Sequence, residues 1–366
     1  MTFRSLLLLA ATAAVIGAQT FDDLSARATA ARNANDIPQA VELYRQALQS
    51  NANWEEGWWF LGTLLYDADQ FAPARDAFQH FVALNAKAAP GWAFLGLCEF
   101  ETKDYAKALP DIEHSLSLGA DKEQQLAPVL LYHEALLLTH DKQFDRALQI
   151  YAPLIKGMSA RSLNEPMLVS IGLPALRAPL LPQDVPDQDK PLYATVGKAA
   201  SFTVLGDYAR ADLAFDDLLQ NYPQKPFVHY MHGIYLLARD PDQAFEEFKR
   251  ELNVAPANSV ANAMLAWGLL TRGDSQEALP YAEKSVDSPD NTPFAKYLLG
   301  RALVETGALQ RGLAYLQESE NSDNTNADVH VTLAAAYARL GQPKEARRER
   351  DTAMQMESEN GPVGHP

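Results

Sequence analysis

Hydrophobic positions in the stretch GWWFLGTLLYDADQFAPARDAF recur every three or four residues, pause at a short turn, and then resume. Trp58 and Leu61 fall on one face of a predicted helix, the turn covers Asp67–Phe71, and Ala74 and Phe78 begin a second apolar face. Two amphipathic segments joined by a turn predict a pair of helices that bury their apolar stripes against each other.

The same pattern returns at a fixed distance along the chain. Thirty-four residues after this stretch the chain reads GWAFLGLCEFETKDYAKALPDI. A marker alanine followed four residues later by a bulky residue recurs at Ala40/Tyr44, Ala74/Phe78, Ala108/Ile112, Ala147/Tyr151, Ala211/Phe215 and Ala244/Phe248. Toward the end of the chain, glycines recur with the same spacing at Gly273, Gly307 and Gly341, each five residues before Ala278, Gly312 and Ala346. A fixed period of this length is typical of repeat proteins.

We assign nine units of two helices each, at residues 21–54, 55–88, 89–122, 128–161, 192–225, 226–258, 259–292, 293–326 and 327–360. Small residues such as Gly62 and Ala74 let the two helix backbones approach, and the bulky residue beside them fills the remaining volume. Four glycines are predicted to end a first helix in a left-handed conformation: Gly206, Gly273, Gly307 and Gly341.

Trp58-x-x-Leu61-Gly62 followed by Ala74-x-x-x-Phe78 at period 34 resembles the tetratricopeptide repeat (TPR). The resemblance implies an all-α fold, a right-handed superhelical solenoid of antiparallel helix pairs with about nine repeats in two arrays. Unit 226–258 is one residue short in its turn, and five residues separate the third unit from the fourth.

The two arrays are predicted at 21–161 and 192–360, joined by a connector at 162–191 to which no repeat fits. Six prolines rule out a long continuous helix in the connector, but its apolar content predicts a packed segment that covers the end of the first array. A hinge between the arrays is the alternative. The tail at 361–366 is predicted to be disordered.

The first residues predict export. One positive charge, a short apolar run and small residues near position 18 match a secretory signal peptide at 1–18, although an uncleaved anchor is the alternative. The expected location is periplasmic or secreted, with no membrane insertion after cleavage. The single cysteine, Cys98, lies in an apolar segment and is predicted to be a core residue.

The net negative charge of the chain and its lack of catalytic motifs disfavour several classes of function. A net charge of −16 disfavours binding to nucleic acid or to anionic membranes. The sequence has no phosphate-binding loop, no nucleophile elbow and no Cys-x-x-Cys pair, and His133 and His140 are spaced wrongly for a zinc helix. His229 and His232 are read as packed histidines rather than metal ligands. We therefore predict a non-catalytic protein with no cofactor and no metal.

The family resemblance implies that first helices line a concave groove and that positions 2, 5, 9 and 12 of each unit face a ligand. On this sequence those positions give Trp59, Tyr66, Phe100, Tyr132, Tyr193, Phe227, Tyr230, Trp267, Phe294, Tyr297 and Arg301. The fifth positions hold no residue able to clamp a peptide carboxylate, so that family mode is excluded.

The resulting hypothesis is a scaffold that binds an extended or helical segment of a protein partner in an aromatic groove. A structural subunit of a cell-envelope assembly, which uses convex faces or array ends, is the alternative.

Overall fold

The computed structural model describes residues 20–123, 125–158, 163–287 and 292–360, and within these ranges every regular element is helical. Two short 3-10 helices lie at Ala120–Lys122 and Pro182–Asp184. The α-helices are α1 Phe21–Asn33, α2 Ile37–Ser50, α3 Glu55–Asp67, α4 Phe71–Leu84, α5 Ala89–Glu101, α6 Tyr105–Ser117, α7 Ala127–His140, α8 Phe144–Gly157, α9 Glu165–Ala175, α10 Lys190–Val204, α11 Tyr208–Asn221, α12 Val228–Leu236, α13 Pro241–Val254, α14 Ser259–Arg272, α15 Ser275–Val286, α16 Pro293–Glu305, α17 Leu309–Ser322, α18 Ala327–Arg339 and α19 Pro343–Asn360.

Each of the nine units assigned from the sequence corresponds to two of these helices, joined by a short turn. Helix α7 begins one residue before its unit, and α10 begins two residues before its unit. This confirms the predicted all-α fold of helix pairs. The predicted signal peptide at 1–18 and the predicted disordered tail at 361–366 lie outside the described residues. Nowhere in the described ranges is a helix both long and apolar enough to cross a membrane.

Glycines in the first helix set the approach of the second helix, as the sequence predicted. A Cβ atom on Gly62 would lie 2.8 Å from the ring of Phe78, and one on Gly96 would lie 2.7 Å from Ile112. Phe78 and Ile112 are fully buried, so neither side chain has free space to move aside. The marker residues therefore fix the interhelical distance in each pair.

Eight of the nine turns within the pairs use one left-handed residue. Gly206, Gly273, Gly307 and Gly341 have φ between 68° and 97°, which confirms the prediction for glycine at these turns. The N-terminal units place Asn35, Asp69, Lys103 and Lys142 at the equivalent position, with φ between 55° and 64°. In the shortened unit the turn has lost this residue, and Asp240 adopts a φ of −148°.

A second recurrent device closes the junction between units. The side chain at the fourth position of a unit donates a hydrogen bond to the carbonyl group six residues earlier. The bonds are Trp58 to Ala52 (2.8 Å), Trp92 to Ala86 (2.9 Å), His229 to Pro223 (3.1 Å) and Asn262 to Pro256 (3.3 Å). Three types of side chain (Trp, His and Asn) thus make the same hydrogen bond, because each supplies an N–H group at the same place.

The described chain divides between Leu154 and Ile155 into two compact units, here called the N-terminal unit and the C-terminal unit. This division lies within α8 and assigns the connector to the C-terminal unit. The connector contributes α9, which packs against α10. Gly172 and Gly197 permit the contact, since a Cβ atom on either would lie about 2 Å from a carbonyl oxygen of the other helix.

Candidate binding groove of the N-terminal unit

A groove with a volume of about 1140 Å³ lies along the first helices of the N-terminal unit. We call it the N-terminal groove; α1, α3 and the start of α5 form most of its wall. Its lining residues are Phe21, Ser25, Ala26, Thr29, Asn51, Asn53, Trp54, Glu55, Glu56, Trp59, Phe81, Ala88 and Pro90. The volume is that of a site for several side chains.

Trp59 anchors the floor of the groove. It is half-buried, and its ring packs against Phe78, Phe81 and Phe94 at centroid distances of 5.2 to 5.8 Å. Edge-to-face and tilted packing of this kind fixes the indole orientation before any ligand arrives. Trp59 is therefore a rigid aromatic surface with one side in the core and one side on the groove.

Trp54 forms a second aromatic surface, at the end of the loop before α3. Its ring stacks on Tyr44 at 5.5 Å and meets Phe21 edge-on at 5.3 Å. Tyr44 is fully buried, whereas Phe21 and Trp54 remain half-buried on the groove. Rings from α1, α2 and the loop thus support each other.

The tryptophans of this unit differ in their indole N–H groups. Trp58 and Trp92 donate to backbone carbonyls, as described above. Within the described part of the chain, no acceptor pairs with the indole N–H of Trp54 or Trp59. Neither nitrogen is among the buried polar atoms of the described residues that lack a partner, so solvent reaches both donors and a ligand can accept hydrogen bonds from them.

The charged lining residues of the groove are acidic. Glu55 and Glu56 are both exposed in the first turn of α3, where the helix dipole favours negative charge. Glu55 accepts a hydrogen bond from the side-chain amide of Asn85 at 2.7 Å, and Glu56 stands one turn before Trp59. None of the described lining residues is basic.

Of the residues predicted to face a ligand, only Trp59 lines this groove. Tyr66 packs against Phe71 and Phe94, and Tyr132 is half-buried against His133. The remaining predicted residues in the N-terminal and C-terminal units are Phe100, Tyr193, Phe227, Tyr230, Trp267, Phe294, Tyr297 and Arg301. Because the predicted ligand-facing residues are divided between the two units, we describe them unit by unit rather than as one surface.

Two of the predicted residues are core residues in the structure. Tyr297 is 3% exposed and belongs to the hydrophobic core of the C-terminal unit, and Phe100 is 9% exposed. Both face inward because their first helices are covered by the neighbouring pair. Arg301 is half-buried and donates to Glu305 at 2.7 Å and to the Leu270 carbonyl at 3.0 Å.

The other predicted residues of the C-terminal unit remain half-buried. Phe227 has a left-handed φ of 72°, which a bulky residue adopts only under constraint. The buried carboxylate of Glu251 supplies the constraint, since it accepts from the backbone N–H groups of Phe227 (2.7 Å) and Tyr230 (3.2 Å). Tyr193, Trp267 and Phe294 complete this set.

Sequence reasoning missed three aromatic residues of the groove, Phe21, Trp54 and Phe81. They occupy positions 1, 34 and 27 of their units, outside the positions that the family resemblance assigns to ligands. The unusual run of four aromatic residues between Trp54 and Phe60 was the available signal.

Protein groups hydrogen-bond His133 and His229, whereas Nδ1 of His232 is buried and makes no hydrogen bond to another described residue. Nδ1 of His229 lies 2.6 Å from Oε2 of Glu247, and Nδ1 of His232 lies 3.5 Å from its Oε1. Nδ1 of His133 bonds the carbonyl of Val129, and burial lowers the pKa of this histidine. Cys98 is fully buried, and burial raises the pKa of its thiol to about 12, as expected for a core residue.

Residues 25–79, 61–114 and 263–328 match the model of the tetratricopeptide repeat. The similar solved structures include YrrB, described as a TPR protein with an unusual peptide-binding site. YrrB is 20% identical, over 45% of this chain and 86% of its own, with a TM-score of 0.40. MamA 41-end from Desulfovibrio magneticus RS-1 is 22% identical, over 48% of this chain and 98% of its own, also with a TM-score of 0.40. No curated protein sequence matches the chain. Matches to the tetratricopeptide-repeat model therefore lie in both compact units.

Proposed function

We propose that the chain is a non-catalytic scaffold whose N-terminal groove binds a segment of a protein partner. The observation that carries the proposal is the pair of half-buried tryptophans, Trp54 and Trp59, which line one groove and keep free indole donors. Tetratricopeptide repeats typically mediate protein–protein interactions, which supports a protein ligand.

The lining chemistry favours a particular kind of segment. Apolar side chains of the partner would pack on the rings of Phe21, Trp54 and Trp59, and its backbone carbonyls would accept from the indole groups. The carboxylates of Glu55 and Glu56 favour a lysine or arginine beside those apolar residues. An extended or helical segment that combines apolar and basic residues is therefore the best ligand.

The half-buried aromatic residues of the C-terminal unit are proposed as a second contact surface. Tyr193, Phe227, Tyr230, Trp267 and Phe294 retain exposed ring area. Export remains a proposal that rests on the first 18 residues of the sequence, and a periplasmic or secreted partner is the corresponding expectation.

A selection of binding peptides from a random library on the full chain tests this function. The selected peptides are then titrated by calorimetry into wild type, Trp59→Ala and the control Tyr208→Ala, an exposed aromatic residue that belongs to neither proposed surface. Because buried aromatic anchors contribute about 2 kcal/mol or more, Trp59→Ala is expected to weaken binding by more than tenfold. The control is expected to bind with wild-type affinity.

The outcomes separate the two hypotheses for this protein. Peptides that bind Trp59→Ala as tightly as wild type would overturn the groove proposal. A natural partner whose binding ignores Trp59, but responds to changes on the second helices, would support an assembly subunit that uses its convex faces.

A further inference from the structure

Three side chains with metal-binding groups converge near the end of the C-terminal unit, far along the chain from the N-terminal groove. Glu320 lies on α17, His330 on α18 and Glu349 on α19. Nδ1 of His330 is 2.8 Å from Oε2 of Glu349 and 3.9 Å from Oε1 of Glu320. One ligand atom from each residue lies within 4.8 Å of the other two, so two consecutive repeat units share one imidazole–dicarboxylate cluster.

The cluster is buried on one side and open on the other. His330 and Glu349 are buried, whereas the Glu320 side chain is 34% exposed. Packing holds the two buried ligands in place, and the open side admits an ion with its remaining water ligands. Arg348 donates to Oε1 of Glu349 at 2.7 Å, which orients the carboxylate and leaves Oε2 for the cluster.

A second histidine–glutamate pair in the chain shows which part of the cluster is specific. His229 and Glu247 form the same kind of contact, and in both pairs the glutamate lies three residues after the marker alanine. The position equivalent to Glu320 in the unit before His229 is Leu219, which offers no ligand atom. The pair is therefore part of the repeat packing, and Glu320 distinguishes the last unit.

The donor set suits a divalent transition metal. Imidazole nitrogen and carboxylate oxygen bind Zn²⁺ at about 2.0–2.2 Å, which separates neighbouring ligand atoms of a tetrahedral site by about 3.4 Å. The two distances from Nδ1 of His330, 2.8 and 3.9 Å, lie on either side of that value. The ligand atoms of Glu320 and Glu349 lie within 4.8 Å of each other, so side-chain shifts of up to about 1.4 Å would form the site. Glu320 is the most exposed of the three ligands and makes most of this movement.

We propose that Glu320, His330 and Glu349 bind a divalent transition-metal ion of the Zn²⁺ class, with water completing the coordination. The ion takes the place of the hydrogen bond that now joins His330 and Glu349. It ties α17 of one repeat unit to α18 and α19 of the next. Binding therefore protects the last helix pair against local unfolding. No sequence motif predicts the site, because its three ligands come from three different helices.

Calorimetric titration of the full chain, untagged and stripped with a chelator, tests the proposal with ZnCl₂ as the probe. Glu320→Gln preserves the His330–Glu349 pair and is expected to fold as wild type, which circular dichroism checks. The matched control is Glu318→Gln, an exposed glutamate two residues away on the same helix. We expect one ion per chain, binding at least tenfold weaker in Glu320→Gln, and no change in Glu318→Gln.

Hydrogen exchange provides a second readout that does not depend on the calorimetric signal. Zn²⁺ is expected to slow exchange in α18 and α19 of wild type but not of Glu320→Gln. Absence of saturable binding to wild type would overturn the proposal. Binding that Glu320→Gln leaves intact would also overturn it, because the ion would then lie elsewhere.

Discussion

The N-terminal and C-terminal units bury carboxylates in opposite ways. Glu99 in the N-terminal unit is 1% exposed, and its main charged neighbour is a second acid, Asp111. Glu247 in the C-terminal unit is fully buried and contacts His229 and His232. Asp111 and Glu247 each lie three residues after a marker alanine, so the repeat places an acid at the same point and the partner differs.

The partner decides the direction of the pKa shift. Burial, followed by the charge of Asp111 and a hydrogen bond with it, raises the pKa of Glu99 to about 8. Burial also acts to raise the pKa of Glu247, but contacts with His229 and His232 outweigh it and lower that pKa to about 2. At neutral pH the buried Glu99 of the N-terminal unit is therefore protonated, whereas the buried Glu247 of the C-terminal unit is ionised.

Removal of His229 is expected to have the largest effect on stability. His229→Ala leaves the Glu247 carboxylate without its 2.6 Å partner, and the loss of one member of a buried pair costs about 3–5 kcal/mol. Because His232 and Arg250 still contact the carboxylate, we expect the free energy of unfolding to fall by about 3 kcal/mol. Urea denaturation measures this change.

A double variant provides the control for this prediction. His229→Ala combined with Glu247→Leu leaves no unpaired buried carboxylate and is expected to recover much of the lost stability. If the double variant were as unstable as His229→Ala alone, the loss would come from packing and from the bond to Pro223 rather than from the charge.

In the N-terminal unit, Glu99→Gln is expected to change how stability depends on pH, in the direction opposite to a Glu247→Gln change in the C-terminal unit. A carboxyl group with a raised pKa contributes stability that is full below its ordinary pKa and is lost as pH rises through about 8. Glutamine imitates the protonated form, so wild type and variant should match near pH 4. At about pH 8 the variant should be more stable by a few kcal/mol, since one pKa unit is worth about 1.4 kcal/mol.

Hydrogen exchange of α5 and α6 as a function of pH, corrected for intrinsic rates, measures this effect within the N-terminal unit. The other groups that act on Glu99 are Asp104 and Lys107, which both forms of the protein share. The C-terminal counterpart, Glu247→Gln, should be less stable than wild type above about pH 4.5 and should approach it as pH falls toward 2. If the stability difference between variant and wild type changed with pH in the same direction for Glu99→Gln and Glu247→Gln, the comparison of the two units would be contradicted.

The turns of the two units differ as well, with a smaller expected effect. Gly307 has φ 97°, and a Cβ atom added there would have no neighbour within 4 Å. Gly307→Ala therefore adds only backbone strain and is expected to lower the free energy of unfolding by about 1 kcal/mol. Lys103 adopts φ 62° at the equivalent turn, so Lys103→Gly relieves that strain. Its gain should be less than about 1 kcal/mol, because glycine also adds freedom to the unfolded chain. Thermal denaturation measures both, and a stabilising Gly307→Ala would refute the explanation.

The helix pairs were predictable because their determinants are local. Spacing of apolar residues, marker alanines and glycines at turns such as Gly273 lie within one repeat of each other. The left-handed conformations of Lys103 and Lys142 were not predictable in the same way, since the turn geometry imposes them on residues without that preference. In the connector, Pro166 lies in the first turn of α9 and Pro174 near its end, so a short helix fits between them.

The candidate site was less predictable than the fold. Family positions identified Trp59, but the groove also takes Phe21 and Trp54, whose roles depend on how consecutive units stack. The same positions selected Tyr297, which stacking buries. Partners for buried acids come from different helices, so their pKa directions follow from tertiary contacts alone.

The smallest effect is expected at Glu246, the residue beside Glu247. Glu246 contacts Lys249 at 2.9 Å, and that hydrogen bond lowers its pKa, but both side chains are largely exposed. Exposed pairs gain little because water solvates the separated charges nearly as well. Glu246→Gln should therefore leave the urea midpoint unchanged within error. A loss as large as that of His229→Ala would mean that helix-surface charge, rather than burial, controls the C-terminal unit.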